Sequence, residues 1–306
     1  MLLDSRPGQL QLRIMNRCAL LSIVLALLAF PCFASRNLQD ELGRTVSVPD
    51  HPRRLICLTP SVADALYALG AENDVVGVSE YTKYPSRARQ KPSIGLPLNP
   101  SLETIVSLHP DLVIGSADLA PLNLKGFERL GIPVFLVRPV GIAGLYTSLL
   151  DLGKALNREA VSEKLVTSLR NRVEAIRTRV QGKERVRVFM VIWADPIVTI
   201  GKDAFITDLI SAAGGESVTR NLTHEFPEIS FETVVAFAPE SILLVRASKM
   251  SVENLAQRTG WDSLPAIRNR RVYYTDDRLD LPSPVAIDAL EDLASQFHPG
   301  TESLRP

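Results

Sequence analysis

The sequence predicts an α/β protein of two lobes, each a mostly parallel sheet flanked by helices, bridged by one long α-helix. Three observations carry that prediction. Short β-branched strands alternate with helical stretches along most of the chain, the signature of a parallel sheet covered on both faces. The alternation stops over residues 144–182, where two helical patterns follow one another. One fourteen-residue stretch also occurs twice. Ser101-Leu-Glu-Thr-Ile-Val-Ser-Leu-His-Pro-Asp-Leu-Val-Ile114 returns 129 residues later as Ser230-Phe-Glu-Thr-Val-Val-Ala-Phe-Ala-Pro-Glu-Ser-Ile-Leu243. Each copy reads as a Ser-capped helix with Glu in its first turn, where the helix dipole favours a carboxylate. A Pro then closes the helix, and an acidic residue leads into a strand. A unit repeated at half-chain distance points to two like lobes, since solenoid repeats recur at about 20–50 residues.

A chain of 306 residues with 46% apolar content holds two ordinary domains and their cores. Zero net charge gives no reason to expect nucleic acid as a partner. Residues 1–34 read as a cleavable signal peptide directing the chain to the periplasm. Arg13 and Arg17 precede the apolar run 18–30, and Cys32 and Ala34 flank a small-x-small cleavage site. The run is shorter than the ~20 residues a membrane span needs. Met15 is an alternative start. Lipidation of Cys32 is an alternative processing, which the bulky, stiff Phe30-Pro31 disfavours. Cleavage leaves 31 basic and 33 acidic residues. Cys18 and Cys32 leave with the signal, so Cys57 remains alone and the exported domain is held by packing rather than by a disulfide. Inside an apolar strand run, Cys57 reads as a small buried hydrophobe.

Taken in order, residues 36–52 are a polar lead-in to an N-terminal lobe assigned to 36–144. Residues 54–59 are its first strand, Pro60-Ser61 the turn after it, and 62–69 a helix stopped by Gly70. A strand at 75–78, the first repeat copy, a helix around 122–130 and a strand at 132–137 complete the lobe. The helical segment 145–182 carries helices over 145–156 and 158–181, with Asn157 as the cap between them. In the second, Val161, Leu165, Leu169, Val173, Ile176 and Val180 step by 4, 4, 4, 3 and 4 and form one stripe. Its 24 residues extend about 36 Å, a rigid strut. The C-terminal lobe, 185–297, restarts the series with a strand at 186–192, a loop at 193–196 and a turn at 199–202. A helix at 204–213 ends at Gly214-Gly215, and the second repeat copy follows. Helical stretches at 252–258 and 262–267, a strand at 271–275 and a helix at 285–297 behind Pro284 close the chain.

The chain carries no nucleophile elbow, no phosphate-cradling loop and no dinucleotide fingerprint. Its four histidines, His51, His109, His224 and His298, show no metal-ligand spacing. Asp276-Asp277 follows the last strand with no defined partner for acid–base work. Ligands in open α/β sheets gather outside the carboxyl ends of the strands. Those positions hold Ser61, Tyr81 and Tyr84, Trp193, Phe226, and Asp276-Asp277-Arg278. Aromatics in wet loops offer flat apolar faces with a polar edge.

Several motifs together resemble the helical-backbone class of periplasmic substrate-binding proteins, which feed ABC importers for cobalamin, siderophores and haem. They are Arg54-Leu-Ile-Cys-Leu-Thr-Pro-Ser61, Leu102-Glu103 through Pro110-Asp-Leu-Val-Ile114, Gly201-Lys202 with Ala213-Gly-Gly215, and Thr275-Asp-Asp277. The resemblance covers residues 45–297. It implies no catalysis, no cofactor and no metal-ion site. It implies instead a monomer that holds a small metal-chelate ligand between its lobes and delivers it to an ABC permease dimer. In that class one Glu on each lobe docks onto permease arginines, and the matching positions are Glu103 and Glu232.

Within the class the chain is most similar to the cobalamin-binding members. Tyr81 matches an aromatic ligand contact, Phe226-Pro227 stands in the place of a Trp-Pro, and Asp277 matches an acidic ligand contact. Pro97, Ser116 and Arg278 stand where those members carry tryptophan, and Val198 where they carry phenylalanine. Leu281 stands where an arginine follows the acidic pair, so ferric siderophore and haem stay open beside the corrinoid. The implied ligand residues are Ser61, Tyr81, Trp193, Phe226, Asp277 and Arg278. An exported α/β enzyme or a sensor-associated binding domain is the alternative class.

Overall fold

The computed structural model describes residues 34–118, 124–246 and 250–299. The expected signal peptide, apart from Ala34, lies outside the described residues. In place of the expected lead-in, β1 (Ser35–Gln39) and β2 (Thr45–Pro49) form a two-stranded sheet. Val46 and Val48 face inward between outward Thr45 and Ser47, a period of two that is short enough to be lost among polar neighbours. Asp40 closes the turn by accepting the N–H groups of Leu42 and Arg44 at 3.1 and 3.0 Å.

The N-terminal lobe then runs β3 (Leu55–Cys57), α1 (Pro60–Ala68), β4 (Val75–Val78), β5 (Gly95–Leu96), β6 (Asn99–Pro100), α2 (Leu102–Ser107), β7 (Leu112–Ser116), α3 (Leu124–Arg129) and β8 (Val134–Val137). Its sheet has the order β4-β3-β7-β8, parallel throughout. Helices α4 (Gly141–Ala155) and α5 (Glu159–Val180) follow. The C-terminal lobe runs β9 (Val186–Val191), β10 (Trp193–Ala194), β11 (Ile197–Val198), α6 (Phe205–Ala212), β12 (Gly215–Ser217), β13 (Glu228–Ile229), α7 (Phe231–Phe237), β14 (Ser241–Leu244), α8 (Val252–Ala256), α9 (Pro265–Arg268), β15 (Val272–Tyr274) and α10 (Val285–Phe297). Its sheet, β12-β9-β14-β15, is parallel throughout and repeats the strand order of the first lobe. Strand β12 occupies a stretch whose glycines signal only a helix stop.

The two repeat copies fold alike down to single bonds. Ser101 and Ser230 cap α2 and α7, accepting the N–H groups of Thr104 at 3.2 Å and Thr233 at 3.3 Å. Ile105 and Val234 are wholly buried, while Glu103, Val106, Glu232 and Val235 face outward. Each helix ends on a residue at positive φ, His109 at 46° and Ala238 at 44°. The acidic residue after the Pro has the same task in both. Asp111 accepts the backbone N–H groups of Arg53 and Arg54, and Glu240 accepts that of Arg187. Arg54 in turn donates to the carbonyls of Leu108 and His109, and Arg187 to that of Phe237. These guanidinium groups satisfy carbonyls that a helix C-terminus leaves open.

The bridging helix α5 has 22 residues, about 33 Å of length. Arg158, not Asn157, is its N-cap; Asn157 sits at a φ of 54° and its amide donates to the Asp50 carbonyl. Leu169, Val173, Ile176 and Val180 are buried as the stripe requires, yet at the N-terminal end the buried residues are Ser162 and Val166, and Val161 is exposed. The helical period explains the shift. Each step of four overshoots a full turn by about 40°, so Val161 lies about 80° from Leu169 and Ser162 only about 20° from it. A serine fits there because α4 passes close at Gly153, where a Cβ would collide with the Ser162 hydroxyl.

Ion pairs fasten α5 at its start, Arg158 to Asp74 at 3.0 Å, and past its middle, Arg172 to Asp288 at 2.8 Å and Glu291 at 3.3 Å on α10. A single apolar core runs from Val46 and Leu55 through Leu149 and Leu169 to Leu209 and Phe297, so the lobes share it. A satellite core lies in each lobe besides. Two carboxylates reach across to helix starts. Asp64 of α1 accepts the Val285 N–H at 2.9 Å, and Asp208 of α6 accepts the Ile142 N–H at 3.1 Å. Helix N-termini hold unpaired N–H groups and partial positive charge, and a carboxylate answers both. Gly141, at a φ of 63°, is needed at the second contact because any Cβ would strike Asp208.

Candidate functional site

The carboxyl ends of both sheets meet at a cleft. On the N-terminal side the segments after β3, β4, β7 and β8 carry Ser61, Tyr81 with Lys83, Asp118 and Arg138. On the other side the segments after β9, β14 and β15 carry Ile192, Val245 and residues 276–280. Lys83 Nζ lies 2.7 Å from Asp277 Oδ2, joining the two walls. Glu225 senses the opposite lobe too. Crowding by neighbouring atoms raises its pKa above the ordinary carboxylate value, Asp118 across the cleft adds to this, and Arg138 opposes.

The C-terminal wall contains a cavity of about 260 Å³, bounded by Ile192, Phe205, Phe226 and Leu279 with Glu225 and Asp280. The turn before α6 positions it. Thr199 N–H donates to Pro227 at 3.0 Å, Gly201 N–H to Glu225 at 2.8 Å, and Lys202 N–H to Leu222 at 2.9 Å, all backbone carbonyls. Gly201 comes so near the His224 carbonyl that a Cβ would overlap it, so only glycine lets this turn strap down Glu225 and Phe226. After β15, the Arg278 guanidinium donates to Asp276 at 2.8 Å and to Asp292 at 3.1 Å, fixing the loop. Arg278 holds the Asp276 carboxyl below its usual range. Asp280 behaves oppositely. Crowding in the cleft wall, then Asp277 and Asp276, push its pKa to about 7 against the pull of Lys83, although its outer edge stays open to solvent.

Of the residues singled out in the sequence, Phe226, 54% exposed, lines the cavity, and Asp277 stands beside it on Lys83. Tyr81, 62% exposed, lies on the opposite wall two residues from Lys83. Arg278 is engaged by two carboxylates of its own lobe. Trp193, half exposed, opens the small sheet β10-β11-β13, its indole N–H donating to the Asp195 carbonyl at 2.8 Å. Ser61 is half-buried in the first turn of α1, its hydroxyl 3.2 Å from that of Thr59. Neither Ser61 nor Trp193 borders the cavity. Glu103 and Glu232 lie on the exposed faces of α2 and α7, and neither borders the cavity.

Lys83, Glu225 and Asp280 are the site residues that sequence reasoning passed over. Each is adjacent to a motif already marked: Lys83 between two tyrosines, Glu225 directly before Phe226-Pro227, and Asp280 as the third carboxylate of Asp-Asp-Arg-Leu-Asp. Larger hollows of about 450 and 620 Å³ lie at the two ends of α5, beside the amino rather than the carboxyl ends of the strands, and the first is bordered by the Arg158–Asp74 pair. Among the described residues, no group of three or more His, Cys, Asp or Glu is placed to hold a metal ion, and no helix is long and apolar enough to cross a membrane.

Two parallel-sheet lobes on one connecting helix, with exposed aromatics and carboxylates where their strand ends meet, define a two-lobed solute-binding protein. The comparison with known families makes this specific. The chain belongs to the periplasmic binding protein family, whose pattern it matches over residues 55–279. It is 27% identical over 274 residues to an uncharacterized ABC transporter substrate-binding lipoprotein of Bacillus subtilis (strain 168), covering 87% of this chain and 86% of that protein. It is 25% identical over 248 residues to the vitamin B12-binding protein of Vibrio campbellii, covering 80% of this chain and 89% of that one. Among solved structures, the periplasmic heme-binding protein of Roseiflexus sp. RS-1 superposes with a TM-score of 0.74 at 26% identity, over 82% of this chain and 99% of that one.

Proposed function

We propose that this chain is the exported binding component of an ABC importer and captures a metal chelate, a corrinoid before all others, between its lobes. Family membership supports capture rather than catalysis. The relatives support the ligand class, since one is named for vitamin B12 and another for heme. Ser61 and Tyr81 would contact the ligand from one wall, and Trp193, Phe226, Asp277 and Arg278 from the other. The shared core keeps the lobe motion small, so a monomer presents its two outer faces at a nearly fixed spacing.

The observation that carries the reading is the duplicated helix. Glu103 and Glu232 occupy the same position of two capped helices that match in exposure and in termination. The backbone N–H of Glu232 and the Ser230 hydroxyl hold the Glu232 carboxyl below its ordinary pKa, which keeps it charged. A first-turn carboxylate also favours its helix by meeting the positive end of the helix dipole. That local role leaves both carboxylates outward for the arginines of a permease dimer. We assign residues 1–34 to export, 36–144 and 185–297 to the lobes, and 145–182 to the helical bridge; β1 begins at Ser35, directly after Ala34.

Protein purified from its native host and examined by absorbance and mass spectrometry is expected to carry a corrinoid; haem or a ferric siderophore would redirect the assignment. The double variant E103A/E232A is expected to bind ligand as wild type does and to lose uptake in cells. Wild-type uptake by that variant removes the docking role.

A further inference from the structure

The cavity behind Phe226 combines two features that seldom share a wall. Its surface is apolar, from Ile192, Phe205, Phe226 and Leu279, yet two carboxylates, Glu225 and Asp280, border it. Neither carboxylate makes a hydrogen bond or ion pair among the described residues, and both keep a face open to solvent, so their acceptor oxygens remain available to a ligand. The surrounding charge is of the same sign. Asp280 faces Asp277 and Asp276 with Lys83, and Glu225 faces Asp118 and Asp203 with Arg138. The nearby cations are engaged already: Lys83 with Asp277, Arg138 beside Asp118 at 3.7 Å, Arg278 with Asp276 and Asp292, and Arg246 over the ring of Tyr274.

From this geometry we propose that Glu225 and Asp280 form a charge filter in the ligand cleft. The cavity accepts an apolar group that bears N–H donors, a primary carboxamide or an ammonium, and it rejects a carboxylate. The two carboxylates lack hydrogen-bond donors, which such a group supplies. A carboxylate brought to the same place meets two acceptors of its own charge at close range, while the neighbouring cations are held by other carboxylates. The proposal rests on the reading of the cleft as a ligand site and sharpens it. A corrinoid, whose periphery carries carboxamides, suits the cavity; haem, with two propionates, does not.

The test compares ligands that differ in whether they bring an N–H donor or a carboxylate to the cavity. Isothermal titration at pH 8 would use cyanocobalamin, its monocarboxylate made by hydrolysing one peripheral amide, and hemin, on wild type and on the isosteric variant E225Q/D280N. Wild type is expected to bind cyanocobalamin at least about tenfold more tightly than the monocarboxylate or hemin, and the variant to bind all three within about threefold. Equal or reversed preference in wild type overturns the filter, with or without a usable variant. If wild type binds none of the three, the metal-chelate reading fails and the filter is still decided, by thermal shift with phenethylamine against phenylacetate. Stabilisation by the amine alone, lost in E225Q/D280N, sustains it. An equal response to the two, or none to either, overturns it.

Discussion

Asp64 and Val285 are 221 positions apart in sequence, yet the Asp64 carboxylate accepts the Val285 N–H at 2.9 Å, so the first helix of one lobe caps the last helix of the other. The contact is buried, with Asp64 8% exposed. It couples the start of the fold to its end without any covalent link; the one cysteine among the described residues, Cys57, is free and buried in β3.

Replacing Asp64 tests that coupling. Asp64→Ala is expected to lower unfolding stability by about 1–2 kcal/mol in urea, the loss of a helix cap plus a buried N–H left bare. Asp64→Asn keeps an acceptor and costs less. Burial raises the folded-state pKa of Asp64, so the wild-type fold binds that proton more readily than the unfolded chain does. Stability therefore falls as pH rises through that window, and the amide escapes the loss. The gap between wild type and Asp64→Asn should narrow from pH 4 to pH 8; a widening gap would show that the charged form is the one the fold prefers.

The Lys83–Asp277 pair is the polar latch across the cleft, and both partners keep solvent contact, 64% and 33% exposed. Such a pair contributes little, and a double-mutant cycle with Lys83→Ala and Asp277→Asn should give a coupling of about 0.2–1 kcal/mol that fades in high salt. Small-angle scattering of Lys83→Ala should show a slightly wider ligand-free molecule. An unchanged profile would mean that the shared core alone sets the lobe spacing.

Much of the frame is legible in the sequence, because helix caps, β-branched runs and the repeated Ser-x-Glu-Thr are local signals. The closing helix over 285–297 and the bridge over 159–180 follow directly from such signals. What escapes is set by contacts between distant segments. The alternation of Val46 and Val48 becomes a strand only beside β1, and Gly215 becomes the start of β12 only because β9 lies next to it. The site divides likewise. Tyr81, Phe226 and Asp277 stand out as aromatics and an acid at strand ends. Glu225, Asp280 and Lys83 acquire meaning only from what faces them across the cleft, which no spacing along the chain encodes.

The bridge offers a direct test of register. Val161 lies on the solvent side and Ser162 on the packed side against Gly153. Val161→Lys should shift stability by less than about 0.5 kcal/mol. Ser162→Leu should cost about 1–3 kcal/mol, because a branched side chain has no room where α4 passes. The reverse order, read from urea midpoints, would place the stripe of α5 one residue away.

The duplicated helices carry one more matched feature. Val106 and Val235, the same position of the two copies, are 42% and 43% exposed, each three residues beyond its glutamate. Residues three apart on a helix are neighbours on its surface, so each carboxylate sits beside an apolar patch. Single exposed valines are commonplace. Under the proposed docking role, two at equivalent places, beside two equivalent carboxylates, give each carboxylate an apolar pad for a permease surface to desolvate. The substitutions Val106→Asp and Val235→Asp put a charge on those pads while leaving Ile105 and Val234 to anchor the helices. The pair is expected to leave ligand affinity and thermal midpoint near wild type and to reduce uptake about tenfold or more, the effect of losing an apolar contact and adding a charge that must be dehydrated. Full uptake by V106D/V235D, with E103A/E232A inactive, would confine docking to the glutamates. Loss of ligand affinity in the same variant would instead place these helices within the mechanics of the cleft.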